Sequence, residues 1–237
     1  MGLVNTSQTK HIVKKVLLDI VYTICNNAPK GAFFMIIGIC GFIGSGKDTA
    51  ADFLVNLHNF KRESFASTLK DAVANIFGWD RDMLEGRTQA SRNWREQKDE
   101  WWSNRLGMDV TPRFILQQWG TNVLRQHFHD DIWIASLENK LRTAQDNIVI
   151  TDCRFPNEIK GLREQGAKIV WIQRGITPHW YSIAEQANRG DNKAREWLGL
   201  NGIHASEYSW AGTNFDVIID NNKTLDHLAA QIKSLVQ

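Results

Sequence analysis

Between Met35 and Leu54 the chain reads Met-Ile-Ile-Gly-Ile-Cys-Gly-Phe-Ile-Gly-Ser-Gly-Lys-Asp-Thr-Ala-Ala-Asp-Phe-Leu, an order that few folds accept. An apolar run of strand length enters a loop with glycines at 41, 44 and 46, followed by a lysine and a helical pattern. Glycine lets the backbone curl tightly enough to aim several N–H groups at one anion. A helix opening after Gly46 points its positive end at the same spot, and Lys47 adds a full charge. Gly41-x-x-x-x-Gly46-Lys47 between a strand and a helix is the arrangement of a phosphate-binding loop. It implies a nucleotide polyphosphate as ligand.

Asp48 follows Lys47 where Ser or Thr is usual, and the hydroxyl comes one place later at Thr49. This Gly-Lys-x-Thr spacing resembles the loop of nucleoside monophosphate kinases. It leaves two candidates for the loop's magnesium ligand. One is Thr49; the other is Asp48 acting through water, since Mg²⁺ keeps much of its hydration.

At 237 residues the chain suits one large domain, or a core with insertions. Its 28 basic and 26 acidic residues leave a net charge of +2, too even a balance for a dedicated nucleic-acid surface. The cysteines, Cys25, Cys40 and Cys153, form no CxxC and no even framework, which fits a reducing, cytoplasmic setting. His127 and His129 stand two apart, on different helix faces, and make no metal pair. Ten tryptophans is a high count; such rings fill cores or flank a base.

Near the start, Ile12, Val13, Val16, Leu17, Ile20, Val21 and Ile24 recur at helical spacing and predict an amphipathic helix. Asp19 interrupts the apolar stretch and residues 26–30 make a poor cleavage site, against a signal peptide; the segment is also too short and charged to span a membrane. Residues 1–34 are an accessory extension ahead of a domain over 35–237, or Met35 is the true start.

After the loop, Ala50, Ala51, Phe53, Leu54 and Leu57 give the first helix its buried face. Residues 61–66 predict a second strand, and 67–77 a helix. Residues 79–130 read as a substrate-binding insertion, its first part (79–110) polar, mobile and rich in tryptophan. Thr111 and Pro112 suit the N-cap and first turn of a helix whose apolar face is Ile115, Leu116, Trp119, Val123 and Phe128. Arg113, Gln117, Thr121 and Arg125 form another stripe, fit for a phosphate and a base edge or else a solvated face. Gly120 in its middle implies that something approaches the backbone or that the helix breaks.

Residues 147–152 predict a buried strand closed by Asp152, at the edge where ligands of a parallel sheet gather. Asp152 either orients magnesium or caps the helix beginning near Phe155. Arg154 is placed to reach a transferring phosphoryl group, with Glu158 to fix it. Residues 168–172 are a further strand. Residues 174–202, with Arg174, Arg189, Lys193 and Arg195 among glycines, read as a lid-like insertion or as a solvated helical pair. A last strand follows at 215–219, Asn221-Asn222 turns the chain, and Thr224 caps a final helix. Strands separated by helices predict a three-layer α/β core with a mainly parallel sheet of about five strands.

Five blocks together resemble the deoxynucleoside monophosphate kinases of tailed bacteriophages, a branch of the P-loop kinases: residues 41–52, 64–71, 111–125, 150–158 and 204–221. The runs Thr-Asp-x-Arg-Phe-Pro-Asn-Glu and Gly-Thr…Arg are the most specific, and residues 1–34 lie outside the likeness. The resemblance implies transfer of the γ-phosphoryl group of ATP, with Mg²⁺, to a deoxynucleoside 5′-monophosphate. On it, Gly41, Phe42, Gly44, Ser45, Gly46, Lys47, Asp48 and Thr49 take ATP. Thr49, Asp48 and Asp152 serve the metal, and Lys47, Asp152 and Arg154 carry the chemistry. Lys70, Arg113, Gln117, Thr121 and Arg125 hold the acceptor, and the lid supplies Arg174, Arg189 and Arg195. The expected partner is this small molecule, without nucleic acid or membrane, in a monomer or homodimer. Two alternatives stand beside it: another small acceptor such as dephospho-coenzyme A, or a non-catalytic nucleotide switch. For the switch, the run Asn222-Lys223-Thr224-Leu225 lacks the final Asp of a guanine-reading motif.

Overall fold

In the computed structural model residues 34–237 are described; the helix expected over 12–24 lies outside the described residues. The chain runs β1 (Ile36–Cys40), α1 (Lys47–His58), β2 (Lys61–Glu63), α2 (Ser67–Phe77), α3 (Arg81–Glu85), α4 (Gln89–Glu96), α5 (Glu100–Leu106) and α6 (Pro112–Gln117). A π-helical turn (Gln118–Val123) leads into α7 (Leu124–His127) and α8 (Ile132–Leu141). Then come β3 (Ile148–Ile150), α9 (Pro156–Glu164), β4 (Lys168–Gln173), α10 (Tyr181–Asn188), α11 (Asn192–Leu200), α12 (Ala205–Tyr208), β5 (Val217–Asp220) and α13 (Leu225–Leu235).

All four strand pairings are parallel, in the order β2-β3-β1-β4-β5. Parallel neighbours need a crossover, which the helices provide, and their layers bury the strands on both faces. That is why β1 and β3 are continuous apolar runs, buried throughout. On one face Ile37, Ile39, Val170 and Ile172 pack with Leu54 of α1 and Leu228 and Ile232 of α13. On the other, α9 comes so close that a Cβ on Gly38 would stand 2.9 Å from Leu162 Cδ1. The expected three-layer α/β core with a five-stranded sheet is present. β2 stops at Glu63, short of the expected 66, because 64–66 already turn into α2.

Segment 79–110, which reads as polar, packs against α2 through its tryptophans. Phe77 stacks on Trp79 (ring centroids 4.5 Å apart) and meets Trp102 and Trp119 at 4.8 and 5.5 Å. The Trp79 and Trp102 indoles donate to Asp99 (2.8 Å) and to the Phe77 carbonyl (3.0 Å). The tryptophans carry both an apolar body and a donor.

The helix beginning at 112 also departs from expectation. Thr111 caps it as predicted, accepting from the Phe114 N–H at 3.0 Å, but the backbone widens into a π turn around Gly120. A Cβ there would stand 2.9 Å from Leu69 Cδ2, and the Gly120 carbonyl takes the Trp133 indole N–H at 2.9 Å. The wider turn rotates the facing of the residues beyond it. Val123 and Phe128, expected on the apolar face, are therefore 50% and 72% exposed.

An ion-pair group ties α3 to α2. Glu85 takes the Lys70 ammonium at 2.8 Å and Arg81 Nη1 at 2.5 Å, and Arg81 Nε reaches Asp71 at 2.6 Å. Burial alone would raise the Glu85 carboxyl, but Lys70 and Arg81 pull it from 4.5 down to about 2. A depressed acid contributes stability that is present above its unfolded value and lost as pH falls through the folded one. Between pH 4.5 and 2 the wild type should lose up to about 3 kcal/mol more than Glu85→Gln, read from denaturant unfolding at each pH.

Candidate active site

The site begins where β1 ends. β1 lies between β3 and β4, so the loop after Cys40 leaves the middle of the sheet's C-terminal edge, where such sheets receive ligands. Gly41 has φ +148°, and a Cβ on it would stand 2.6 Å from the Ile172 carbonyl and 2.7 Å from Ser45 Oγ. Gly46, at φ +96°, precedes α1 and packs against the Asn221 amide. Neither place accepts a side chain. The buried Asn221 donates its Nδ2–H to the Ser45 carbonyl at 2.8 Å, while its own N–H goes to Gln173 O. In the sequence Asn221 reads only as a turn residue; the signal for its role is an Asn directly after the last strand.

Lys47 closes the loop on itself. Its ammonium donates to the carbonyls of Gly41 and Phe42, both at 2.8 Å, and the Ser45 N–H also donates to Phe42 O. Burial lowers the Lys47 pKa, and the Arg154 charge lowers it further, so the two cations act on one region. Ser45 Oγ is buried with no partner among the described residues.

Asp152 stands two residues beyond β3, whose Ile150 pairs with Gly38 of β1. It accepts the Phe65 N–H at 3.3 Å, and burial raises its pKa against the pull of Lys70. It does not cap the following helix. That work falls to Glu158, which accepts the N–H groups of Arg154 (2.9 Å) and Phe155 (3.1 Å). Glu158 also takes Arg125 Nη2 at 3.3 Å, and the Arg125 guanidinium lies 5.7 Å from the centre of the Phe155 ring. Glu158 thus fixes the backbone of Arg154 and the side chain of Arg125. Arg154's own guanidinium approaches Glu207 at 3.8 Å.

The other expected residues spread more widely. Arg113, Gln117 and Thr121 are exposed along the helix, and Thr49 is half-buried in the first turn of α1. Arg113 lies near Arg95, whose pKa falls through burial and then through the Arg113 charge. Asp48, exposed at the start of α1, pairs with β2: Arg62 takes its carboxylate at 3.1 Å and that of Asp52 at 2.8 Å. The Phe42 ring meets an aromatic group made by Trp180, Tyr181 and Trp210. Arg174 is exposed, while Arg189 and Arg195 find partners within their own hairpin, Glu185 (3.7 Å) and the Ala187 carbonyl (3.2 Å). No helix among the described residues is long and apolar enough to cross a membrane.

Burial is the main reason that the Glu158 carboxyl is pushed up from 4.5 to about 7. The folded chain therefore keeps this proton longer than the unfolded one does. Its contribution is intact below pH 4.5 and is lost as pH climbs to about 7, roughly 3 kcal/mol in all. Glu158→Gln should flatten that part of the stability profile, measured by urea unfolding from pH 4.5 to 7.5.

A family model described as deoxynucleotide monophosphate kinase matches residues 82–186. A protein of Acanthamoeba polyphaga mimivirus that bears this name provisionally is 27% identical over 217 residues, spanning 85% of this chain and 96% of its own length. The deoxynucleoside-5′-monophosphate kinase of Escherichia phage T5 is 28% identical over 182 residues, 55% of this chain and 72% of that protein. Among solved structures, shikimate kinase from Aquifex aeolicus is 14% identical with a TM-score of 0.38, covering 85% of this chain and 96% of its own. The likeness read in the sequence is borne out: the chain is similar to phage-type deoxynucleoside monophosphate kinases.

Proposed function

We propose that this chain is a deoxynucleoside monophosphate kinase, moving the γ-phosphoryl group of ATP onto a deoxynucleoside 5′-monophosphate by direct in-line transfer. One observation carries the reading beyond the family likeness. The Lys47 ammonium, folded into a glycine loop, shares its region with Arg154, and the same Glu158 that fixes the Arg154 backbone holds Arg125. Lys47 and Arg154 thus act on one region at the C-terminal edge of the sheet, with Arg125 tied to the Arg154 backbone through Glu158, an arrangement suited to transfer between two phosphorylated substrates.

On this reading, the N–H groups of the loop and the Lys47 ammonium bind the polyphosphate of ATP. Lys47 and Arg154 offset the charge that develops on the moving group, which is positioning and electrostatics without a covalent enzyme intermediate. Arg125, Arg113, Gln117, Thr121 and Lys70 orient the acceptor's phosphate and base. The residues present fit magnesium: Ser45 carries a buried, unpartnered hydroxyl, Thr49 a hydroxyl in the first turn of α1, and Asp152 a carboxylate at the strand edge. Thr49 and Asp152 would hold the ion, which would supply charge neutralisation for the phosphates. Residues 79–130 serve as the acceptor-binding insertion and 174–202 as the lid, in a cytoplasmic enzyme.

Incubating the chain with ATP and each common deoxynucleoside monophosphate, with coupled detection of ADP, should give turnover on at least one. Lys47→Ala should lower kcat about a hundred- to a thousandfold, the order found for a preorganised charge stabiliser. Turnover on dephospho-coenzyme A alone, or near-normal turnover in the lysine variant, would refute the reading.

A further inference from the structure

Two apolar residues stand side by side in the phosphate loop, and the fold treats them oppositely. Ile43 is 80% exposed, whereas Phe42 is half-buried with its ring against three others. Its centroid lies 5.5 Å from Trp180, 6.0 Å from Tyr181 and 4.8 Å from Trp210, all edge-on. Trp180 is the N-cap residue of α10 and Tyr181 its first residue, so both root the hairpin α10–α11. Tyr181 is fixed in turn: it stacks on Trp171 of β4 at 5.5 Å, and its hydroxyl accepts the Gly212 N–H at 3.3 Å. The main chain of Phe42 is held as firmly as its ring, since its carbonyl takes both the Lys47 ammonium and the Ser45 N–H. One residue therefore meets the loop's lysine, the loop's backbone and the foot of the hairpin.

We infer that Phe42 is a positioning residue that couples the phosphate loop to the α10–α11 hairpin. The ring box sets where the Phe42 carbonyl stands, and that carbonyl sets the Lys47 ammonium. A nucleotide that reshapes the loop must displace the ring, and the hairpin moves with it. The hairpin carries Arg189 and Arg195, so the loop's occupancy reaches these cations through packing rather than through a hydrogen bond. Flat rings meeting edge to face have few alternative arrangements, which makes the link stiff.

This inference rests on reading the loop as the seat of ATP, and its test uses ATP binding alone. The dissociation constant for ATP is measured by calorimetry on the full chain and on Phe42→Ala, Trp180→Ala, the double variant and Trp180→Phe. Tryptophan emission is followed in the same samples. Phe42→Ala, which loses three ring contacts, should bind ATP about tenfold more weakly, and Trp180→Ala, which loses one of them, about threefold more weakly. The double variant should be little worse than Phe42→Ala, since both break the same link. Trp180→Phe, which keeps a ring edge against Phe42, should restore binding. ATP should change the tryptophan emission of the wild type and not that of Phe42→Ala. Circular dichroism melting confirms that each variant is folded at the assay temperature, and Phe42→Leu takes the place of Phe42→Ala if that variant is not. Additive losses, or a Trp180→Ala variant that binds ATP as the wild type does, overturn the coupling. A missing acceptor activity would leave the wild-type ATP affinity standing, so the two failures are distinct.

Discussion

β1 is hydrogen-bonded to β3 on one side and to β4 on the other, and it is buried from Ile36 to Cys40. The chain that leaves such a strand emerges between its neighbours with little room to spread. Polar groups in a confined loop must find partners or lose their hydration uncompensated. The Lys47 ammonium satisfies two of the loop's carbonyls from within, and the Asn221 amide, from the end of β5, a third. The same confinement explains why Gly41 is glycine, since the Ile172 carbonyl of the neighbouring strand occupies the space of a Cβ. Pairing register does the rest, because Gly38 opposite Ile150 puts Asp152 at the loop's flank.

The electrostatics follow from that confinement. Lys47 and Arg154 are like charges acting on one region, and Lys47 is partly desolvated. In the protein alone this juxtaposition is a cost, and an anion between them relieves it, which is how a preorganised site favours a negatively charged group. Glu158 supplies the counterweight from below. A buried carboxylate is tolerable only with several donors, and it has two N–H groups and a guanidinium. Because those donors belong to the segment after β3 and to α7, its burial fixes two parts of the site at one point.

Much of this is legible in the sequence, and the failures share a cause. The strands, the loop and the Thr111 and Thr224 caps follow from local pattern, and local pattern decides them. Asp152 is legible as a strand-end acid but not as the partner of the Phe65 N–H, which depends on a residue 87 positions away. Glu158 is legible in the sequence as a support for Arg154, whose backbone N–H it holds, but not as the partner of the Arg125 side chain, a pairing only the fold can make. Asp48 is legible as a neighbour of the loop's lysine but not as a partner of Arg62 on β2, which takes both Asp48 and Asp52 of α1. The apolar stripe of the helix from 112 fails at Val123 because a π turn changes the period on which the reading rests.

Lys70 shows how far the site extends into the insertion. Its ammonium is engaged by Glu85 at 2.8 Å, while its charge also steadies the Asp152 carboxylate against burial. Glu85 is shared with Arg81, Arg81 with Asp71, and Asp71 with Lys140, which reaches Glu63 at 3.5 Å at the end of β2. An isolated exposed pair would count for little, but these groups are partly buried and share partners, so each holds its neighbours' geometry. A chain of alternating charges therefore runs from the sheet edge through α2 to α3. Lys70 is half neutralised before any ligand arrives, and what it contributes first is the connection between the strand-end acid and the tryptophan-packed segment above it.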